Sequence, residues 1–442
     1  MIPVLNNRFM LLKQYGLSCM YPIYEHKDSK LLSSGSYEYD RINQVASEIL
    51  SLCDGSKEIK DIAVELSNVY DNDIEEIQYM VNNFIKEAKN KDYINYVDKK
   101  EKNKINVAGS YDTIYPFFVS FEITKKCPLK CKHCFNESGF KKQDELTSKQ
   151  IIEILYKLKR MGVQKIMLTG GEPLSKPGFS EILKVATQLF IGVSIGSNGY
   201  YINEKFVNEI SEYSKNMVFQ ISVDGLETNH DNIRGTKGSF KKAIKAIELL
   251  ADANINVIVS NTLNKFNFED IEKVTKLVKN KGAKQINYSS TLEAGRARNN
   301  NLNEGFNSNK FNDMVKKMDE KYTDESFFVN DDQIDEETIN NKYVSCGAGD
   351  TQICIRENGD ISPCVHFPLS YGNLLFEEPK DIFNKDRVET FRNVVKPSKK
   401  ECYDCLRCAG CVAYAVQMSN EECEWKRNNK GYLDVIEKYE YI

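Results

Sequence analysis

The placement of the cysteines constrains this chain of 442 residues more than any other feature. Three of the thirteen lie together at Cys127, Cys131 and Cys134, and eight more are Cys346, Cys354, Cys364, Cys402, Cys405, Cys408, Cys411 and Cys423. Cys19 and Cys53 stand apart and read as small buried hydrophobes. Patterned thiols imply either disulfides or metal, and the redox compartment chooses between them. The opening stretch MIPVLNNRFMLLKQYG sets Asn6, Asn7 and Arg8 inside any apolar core, so it does not read as an export signal. Nowhere do about eighteen apolar residues run together. A cytoplasmic protein is therefore expected, in which clustered cysteines bind metal or catalyse. Lys+Arg 60 against Asp+Glu 64 leaves a net charge of -4, too balanced for a phosphate-binding face, so neither nucleic acid nor a membrane is an expected partner.

Along the chain the hydrophobic spacing changes character. Over 1–104, extended stretches at 9–12 and 37–41 precede helical patterns at 43–53, after Ser56 (Ile59, Ile62, Ala63 and Leu66), and at 74–86, with a last strand at 93–97. Strands with three short amphipathic helices suggest a winged-helix-like module. A lysine-rich linker at 98–104 follows. Over 105–298 strands alternate with helices, the pattern of a parallel sheet. Strands are expected at 117–124, 165–169, 191–195, 218–223, 256–260 and 285–288, and Thr147 with Gln150 predicts a capping box for one of the helices between them. Six such units make an α/β fold resembling a partial (β/α)6 barrel, with its chemistry at the C-terminal ends of the strands. The Asn-, Asp- and Glu-rich stretch 299–340 reads as a linker with room for one helix. The last segment, 341–442, holds the eight cysteines with few periodic elements, a region expected to be held by metal more than by a core.

The first barrel strand runs into Cys127-Pro-Leu-Lys-Cys131-Lys-His-Cys134, a C-x3-C-x2-C loop. A structural zinc site wants four ligands, which His133 would complete. An iron-sulfur cluster held by three thiolates instead leaves one iron open. The second strand ends in Thr169-Gly170-Gly171-Glu172-Pro173, where the glycines would let a ligand approach the backbone and Glu172 offers a carboxylate to an ammonium group. Ser197-Asn198-Gly199 ends the third strand and Ser222-Val223-Asp224-Gly225 the fourth. Taken singly these are turns and caps, but they fall at successive strand ends.

With these motifs the sequence resembles the radical S-adenosylmethionine superfamily over most of its length. The resemblance implies that Cys127, Cys131 and Cys134 hold a [4Fe-4S] cluster whose open iron takes the amino and carboxylate groups of S-adenosylmethionine. It further implies that Gly170, Gly171, Glu172 and Pro173 bind the methionyl ammonium, and that Ser197, Asn198, Ser222 and Asp224 contact ribose and methionyl groups. Arg234, in Ile-Arg-Gly, and Glu293-Ala294-Gly295-Arg296 also fit the family's pattern. One electron, from a donor such as flavodoxin or ferredoxin, would cleave the sulfonium to a 5'-deoxyadenosyl radical, which abstracts hydrogen from an unactivated carbon.

The C-terminal thiols, spaced Cys346-x7-Cys354-x9-Cys364 and Cys402-x2-Cys405-x2-Cys408-x2-Cys411-x11-Cys423, suffice for two four-ligand sites, zinc ribbons or four-iron clusters. With Gly359 they resemble the SPASM domain of peptide-modifying members, which binds two auxiliary clusters. Its interleaved ligation would give Cys346, Cys354, Cys364 and Cys411 to one and Cys402, Cys405, Cys408 and Cys423 to the other, three [4Fe-4S] clusters in all. The family run is usually C-x2-C-x5-C-x3-C, which leaves Cys408 and Cys411 open between the two. Val365 stands where sulfatase-maturing members carry an Asp, which disfavours that activity, and His366 follows it. The first hundred residues resemble, on pattern alone, the PqqD-like element that takes up an extended leader peptide along a sheet edge. The expected function is therefore a radical enzyme, similar to sactisynthases, that closes a thioether or carbon-carbon crosslink in a ribosomally made precursor peptide. Peptide epimerisation, excision of a residue fragment and a non-catalytic peptide-binding scaffold remain the alternatives.

Overall fold

The computed structural model describes residues 1–23, 39–292, 294–302, 308–329, 347–367, 369–392, 411–417, 423–429 and 440–441. His26, Glu293, Cys346, Cys402, Cys405 and Cys408 lie outside the described residues.

The N-terminal module opens with β1 (Ile2–Leu5), β2 (Phe9–Lys13), β3 (Ser18–Pro22) and β4 (Asp40–Ile42). Helices α1 (Gln44–Leu52), α2 (Ile59–Tyr70) and α3 (Ile74–Asn90) follow, then β5 (Ile94–Val97). The helices start where the sequence supplies caps: the Asn43 side chain accepts from the Ala46 amide, and Asp73 from Glu75 and Glu76. Ile49, Leu50, Ile62, Leu66, Val81 and Ile85 close a separate small core. β1 pairs antiparallel with β5, and a four-stranded sheet runs in the order β4-β3-β2-β6. Its last member, β6 (Val107–Gly109), lies beyond the lysine-rich linker, so the module's sheet reaches past residue 104. An apolar seam of Met10, Leu12 and Tyr21 against Phe117 joins the module to the barrel, with the Tyr21 and Phe117 rings edge to face at 4.7 Å.

The barrel strands are β7 (Phe118–Glu122), β8 (Lys165–Thr169), β9 (Gly192–Ser197), β10 (Met217–Ser222), β11 (Asn256–Leu263) and β12 (Gln285–Ser290). They lie side by side in chain order, every pair parallel, as the alternating pattern requires. Between them run α4 (Ser148–Met161), α5 (Phe179–Leu189), α6 (Glu204–Ser211), α7 (Glu227–Arg234), α8 (Ser239–Asp252) and α9 (Ile271–Asn280). In α4 the Thr147–Gln150 capping box is formed, Ile151, Ile154, Leu155 and Leu158 face the sheet, and Gly162 ends the helix at φ +91°.

The wall stays open, and both free edges are taken. Where a linker with room for one helix was expected, the helix α10 (Ser308–Tyr322) is followed by an unexpected strand, β13 (Phe328–Val329), parallel to β12. Met314, Val315, Met318 and Phe327 pack on the barrel core, too thinly spread among Asn, Asp and Glu to dominate the local pattern. On the other edge β14 (Gln352–Ile355) pairs parallel with β7, Cys354 opposite Ser120, and β15 (Ile361–Ser362) returns antiparallel. The described part of the cysteine-rich region also has an apolar core, alongside the metal expected there. Ile353, Ile355, Phe367, Tyr371, Phe383 and Trp425 belong to the same continuous apolar cluster as the barrel. They sit in strands, turns and, for Trp425, a five-residue helix, all too short for periodicity to register. Among the described residues no helix is long and apolar enough to cross a membrane.

Candidate metal and cofactor site

Past β7 the chain continues paired to the segment past β8: Ile123 N donates to Thr169 O (2.9 Å), Gly171 N to Thr124 O (2.6 Å) and Glu172 N to Lys126 O (2.8 Å). The Gly-Gly-Glu segment is thereby laced to the start of the three-cysteine loop. Gly170 has φ +131°, and a Cβ there or at Gly171 would run into the carbonyl oxygens of Thr124 or Lys126. What approaches these glycines is the protein's own backbone. Gly170→Ala is accordingly expected to add about 1–3 kcal/mol of overpacking to backbone strain of about 1–3 kcal/mol. A lowered melting temperature and reduced iron uptake would show it; an unchanged melting temperature would contradict the lacing.

Glu172 is fully buried, and its carboxylate accepts from Ser197 Oγ (2.9 Å), the Asn198 amide (2.8 Å) and the Leu174 amide (3.2 Å). Burial pushes its pKa up to about 7 against the pull of these hydrogen bonds. The carboxylate, expected to meet an ammonium group, clamps the ends of β8 and β9 together, while the Pro173–Ser175 turn carries the chain away. Ser197 is engaged in the same clamp. The Asn198 side chain faces the cysteine loop, its Nδ2 3.6 Å from Cys127 Sγ.

The fourth strand end supplies a buried charge pair. Asp224 Oδ2 lies 2.6 Å from Arg234 Nε, and its Oδ1 accepts from the Thr262 amide at 2.9 Å. Arg234 Nη1 reaches within 3.7 Å of Cys131 Sγ. Arg234 thus bridges the β10 rim to the loop, whose backbone pairs with the end of α7 through Lys130 N to Arg234 O (3.1 Å) and Lys132 N to Ile233 O (2.8 Å). His133 turns inward, with Nε2 3.5 Å from Asp224, and His230 Nδ1 accepts the Asp224 amide at 3.1 Å. Burial holds both imidazoles neutral, with pKa values of about 4. Ser222 ends β10 half-buried, two residues before Asp224. From beyond β12, Arg296 grips the loop through Nε to Cys131 O (2.8 Å) and Nη1 to Ser138 O (2.8 Å).

Cys127, Cys131 and Cys134 are free thiols. Burial raises the Cys127 pKa to about 12, and it also raises that of Cys131, where Arg234 pulls the other way. Such thiols ionise readily only when a cation takes them. Three soft donors on one loop, with Asn198 and Arg234 near two of the sulfurs, fit a thiolate-held iron-sulfur cluster. Among the described residues no three His, Cys, Asp or Glu side chains are gathered closely enough to hold a lone metal ion.

Of the C-terminal thiols, Cys354 lies buried in β14 and is paired in register with Ser362, two residues before half-buried Cys364. Cys411 directly precedes the helix Val412–Gln417, and buried Cys423 caps Glu424–Asn428. Between the two cysteine groups lie residues that motif reading missed. Glu122, at the end of β7 and 1% exposed, meets Arg356 Nη1 at 3.1 Å and Asn136 Nδ2 at 3.1 Å. Phe135 stands edge-on to His366 with ring centroids 4.6 Å apart. The one local hint was a carboxylate closing an otherwise apolar strand, Phe-Val-Ser-Phe-Glu.

A parallel partial barrel with three free thiols at its C-terminal rim, and more thiols stitched beside its first strand, defines a metallocofactor protein of the barrel class. The sequence pattern of the radical SAM superfamily matches residues 121–278, that of coenzyme PQQ synthesis protein D (PqqD) residues 31–94, and that of the SPASM iron-sulfur cluster-binding domain residues 346–409. The chain is 33% identical to the sporulation killing factor maturation protein SkfB of Bacillus subtilis, over 64% of this chain and 68% of that one. It is 26% identical to the antilisterial bacteriocin subtilosin biosynthesis protein AlbA of the same organism, over 90% and 91%. Streptococcus suis SuiB, solved bound to S-adenosylmethionine, has the same fold, with a TM-score of 0.64 and 15% identity over 95% of this chain and 98% of that one. The chain belongs to the radical SAM superfamily.

Proposed function

We propose that this chain is a radical S-adenosylmethionine enzyme that crosslinks a ribosomally made precursor peptide through a thioether or carbon-carbon bond. The observation that carries the reading is the three-thiol loop laced by backbone hydrogen bonds to Gly-Gly-Glu at the barrel rim, in one chain with a PqqD-type module. The relatives named for subtilosin biosynthesis and for sporulation killing factor maturation support a peptide substrate, as does SuiB, whose fold was also solved bound to precursor peptide SuiA.

In this reading Cys127, Cys131 and Cys134 hold a [4Fe-4S] cluster, and the nucleoside lies along the strand ends of Gly170 to Pro173, Ser197, Asn198, Ser222 and Asp224. Cluster and nucleoside together supply a 5'-deoxyadenosyl radical once an electron arrives from a flavodoxin or ferredoxin. The chain's own groups position them. Arg234 and Asn198 donate towards the thiolates, Glu172 locks two strand ends at fixed separation, and Arg296 holds the loop backbone. With Glu172 engaged by Ser197 and Asn198, the backbone carbonyls of the Gly-Gly-Glu segment are left to receive the methionyl ammonium. The eight C-terminal cysteines, Cys346 to Cys423, would hold two auxiliary clusters, which would supply a one-electron acceptor for closing the crosslink. The leader adds to an edge of the N-terminal sheet, and its core segment reaches the rim, which raises the local concentration of the reacting residue. A reducing cytoplasm suits these thiols.

Anaerobically reconstituted protein is expected to carry roughly twelve iron per chain and, with S-adenosylmethionine and dithionite, to release 5'-deoxyadenosine. The co-expressed precursor peptide should lose a pair of hydrogens. A peptide mass unchanged in ordinary water but raised by deuterium uptake in heavy water would move the assignment to epimerisation, and iron without 5'-deoxyadenosine would leave a scaffold.

A further inference from the structure

We infer that the Glu122–Arg356 pair positions and electrically tunes the auxiliary centre that includes Cys354 and Cys364, an inference that rests on the iron-sulfur reading of the C-terminal cysteines given above. Arg356 follows β14, two residues after Cys354, and is 8% exposed. All five guanidinium donors are used. Nε donates to Ser362 Oγ (2.9 Å), Nη1 to Glu122 Oε2 (3.1 Å) and Val365 O (3.1 Å), and Nη2 to Phe367 O (2.9 Å) and Cys364 O (3.5 Å). One planar fork therefore shapes the 362–367 turn that presents Cys364, a geometry that lysine, with a single ammonium, cannot reproduce.

The anchor of that fork is on another domain. Glu122 closes β7, and its other oxygen accepts from Asn136, two residues past Cys134. Lys125 Nζ stands 3.6 Å from the same carboxylate. The pair is thus a buried tie between the turn bearing Cys364 and the loop bearing the first three thiols. Reducing a cluster adds negative charge, so a fixed guanidinium beside it favours the reduced form and a carboxylate opposes it. Burial leaves little water to screen either charge.

Removing one partner at a time therefore moves the potential in opposite directions. The test is a potentiometric titration, followed by electron paramagnetic resonance, of the full-length chain carrying C127A, C131A and C134A, in which only the C-terminal clusters remain. E122Q is expected to raise the midpoint of one of the two waves, R356Q to lower that same wave, and R356K, which keeps the charge without the fork, to hold the midpoint near the parent's while retaining less cluster. A purely structural tie would weaken cluster retention in all three without this reversal of sign. Shifts in the same direction, or none, with clusters present, overturn the inference alone. No iron-sulfur signal in the parent background overturns the reading beneath it as well. Should R356Q fail to fold, the near-isosteric E122Q decides by the sign of its shift.

Discussion

Cys131→Ala is expected to reduce 5'-deoxyadenosine release from S-adenosylmethionine to the level of a protein-free control. Cys131 is the buried member of the trio, and three hydrogen bonds hold the backbone around it: Lys130 and Lys132 pair with the end of α7, and Arg296 Nε donates to the Cys131 carbonyl. In the proposed function the substitution removes a cluster ligand without loosening the loop, and two thiolates do not retain a cluster that needs three. Cys53→Ala is the control. Its thiol lies in the N-terminal core, fully buried and hydrogen-bonded to Ile49 O at 3.2 Å, so stability should fall while cofactor cleavage persists. Cleavage that survived in Cys131→Ala would place the radical source elsewhere.

Arg234→Met is expected to destabilise the barrel by about 3–5 kcal/mol, because it strands a buried carboxylate. Asp224 is fully buried, and its pKa lies below the ordinary carboxylate range because Arg234 outweighs the cost of burial together with His133, His230 and the Thr262 amide. The two histidines cannot take over the positive charge near neutral pH, since burial holds both pKa values at about 4. The double variant Asp224→Asn/Arg234→Met should recover most of the loss, as removing both charges also removes their desolvation. Thermal unfolding of the metal-free, reduced protein reads both. A double variant no more stable than the single would show that Arg234 acts through packing rather than charge.

Parts of this architecture could be read from spacing alone. The second barrel strand is found at Lys165–Thr169, where it was expected, and the Thr147–Gln150 cap opens its helix. Both are local: a capping box spans one turn, and a buried parallel strand is a run of apolar residues between turn signals. The cysteine loop was legible for the same reason, since its ligands sit within one short segment. β13 was not, because a two-residue strand among polar neighbours has meaning only beside β12. The pairing of β14 with β7 and the Glu122–Arg356 tie, 234 residues apart in sequence, were equally hidden.

Glu172 shows the limit most plainly. Its motif marked it as functional, but not what it would touch. Local order alone determined the alternation that builds a parallel wall, the rim at which its loops gather, and the three thiols on the first of them. Tertiary structure alone decided that the glycines make room for neighbouring backbone, that Glu172 is a clamp, and that Cys364, Cys411 and Cys423 pack on the barrel's core. Those outcomes depend on which sheet edge is left to pair and which charges meet out of water, and such meetings between distant segments leave no periodic trace in the chain.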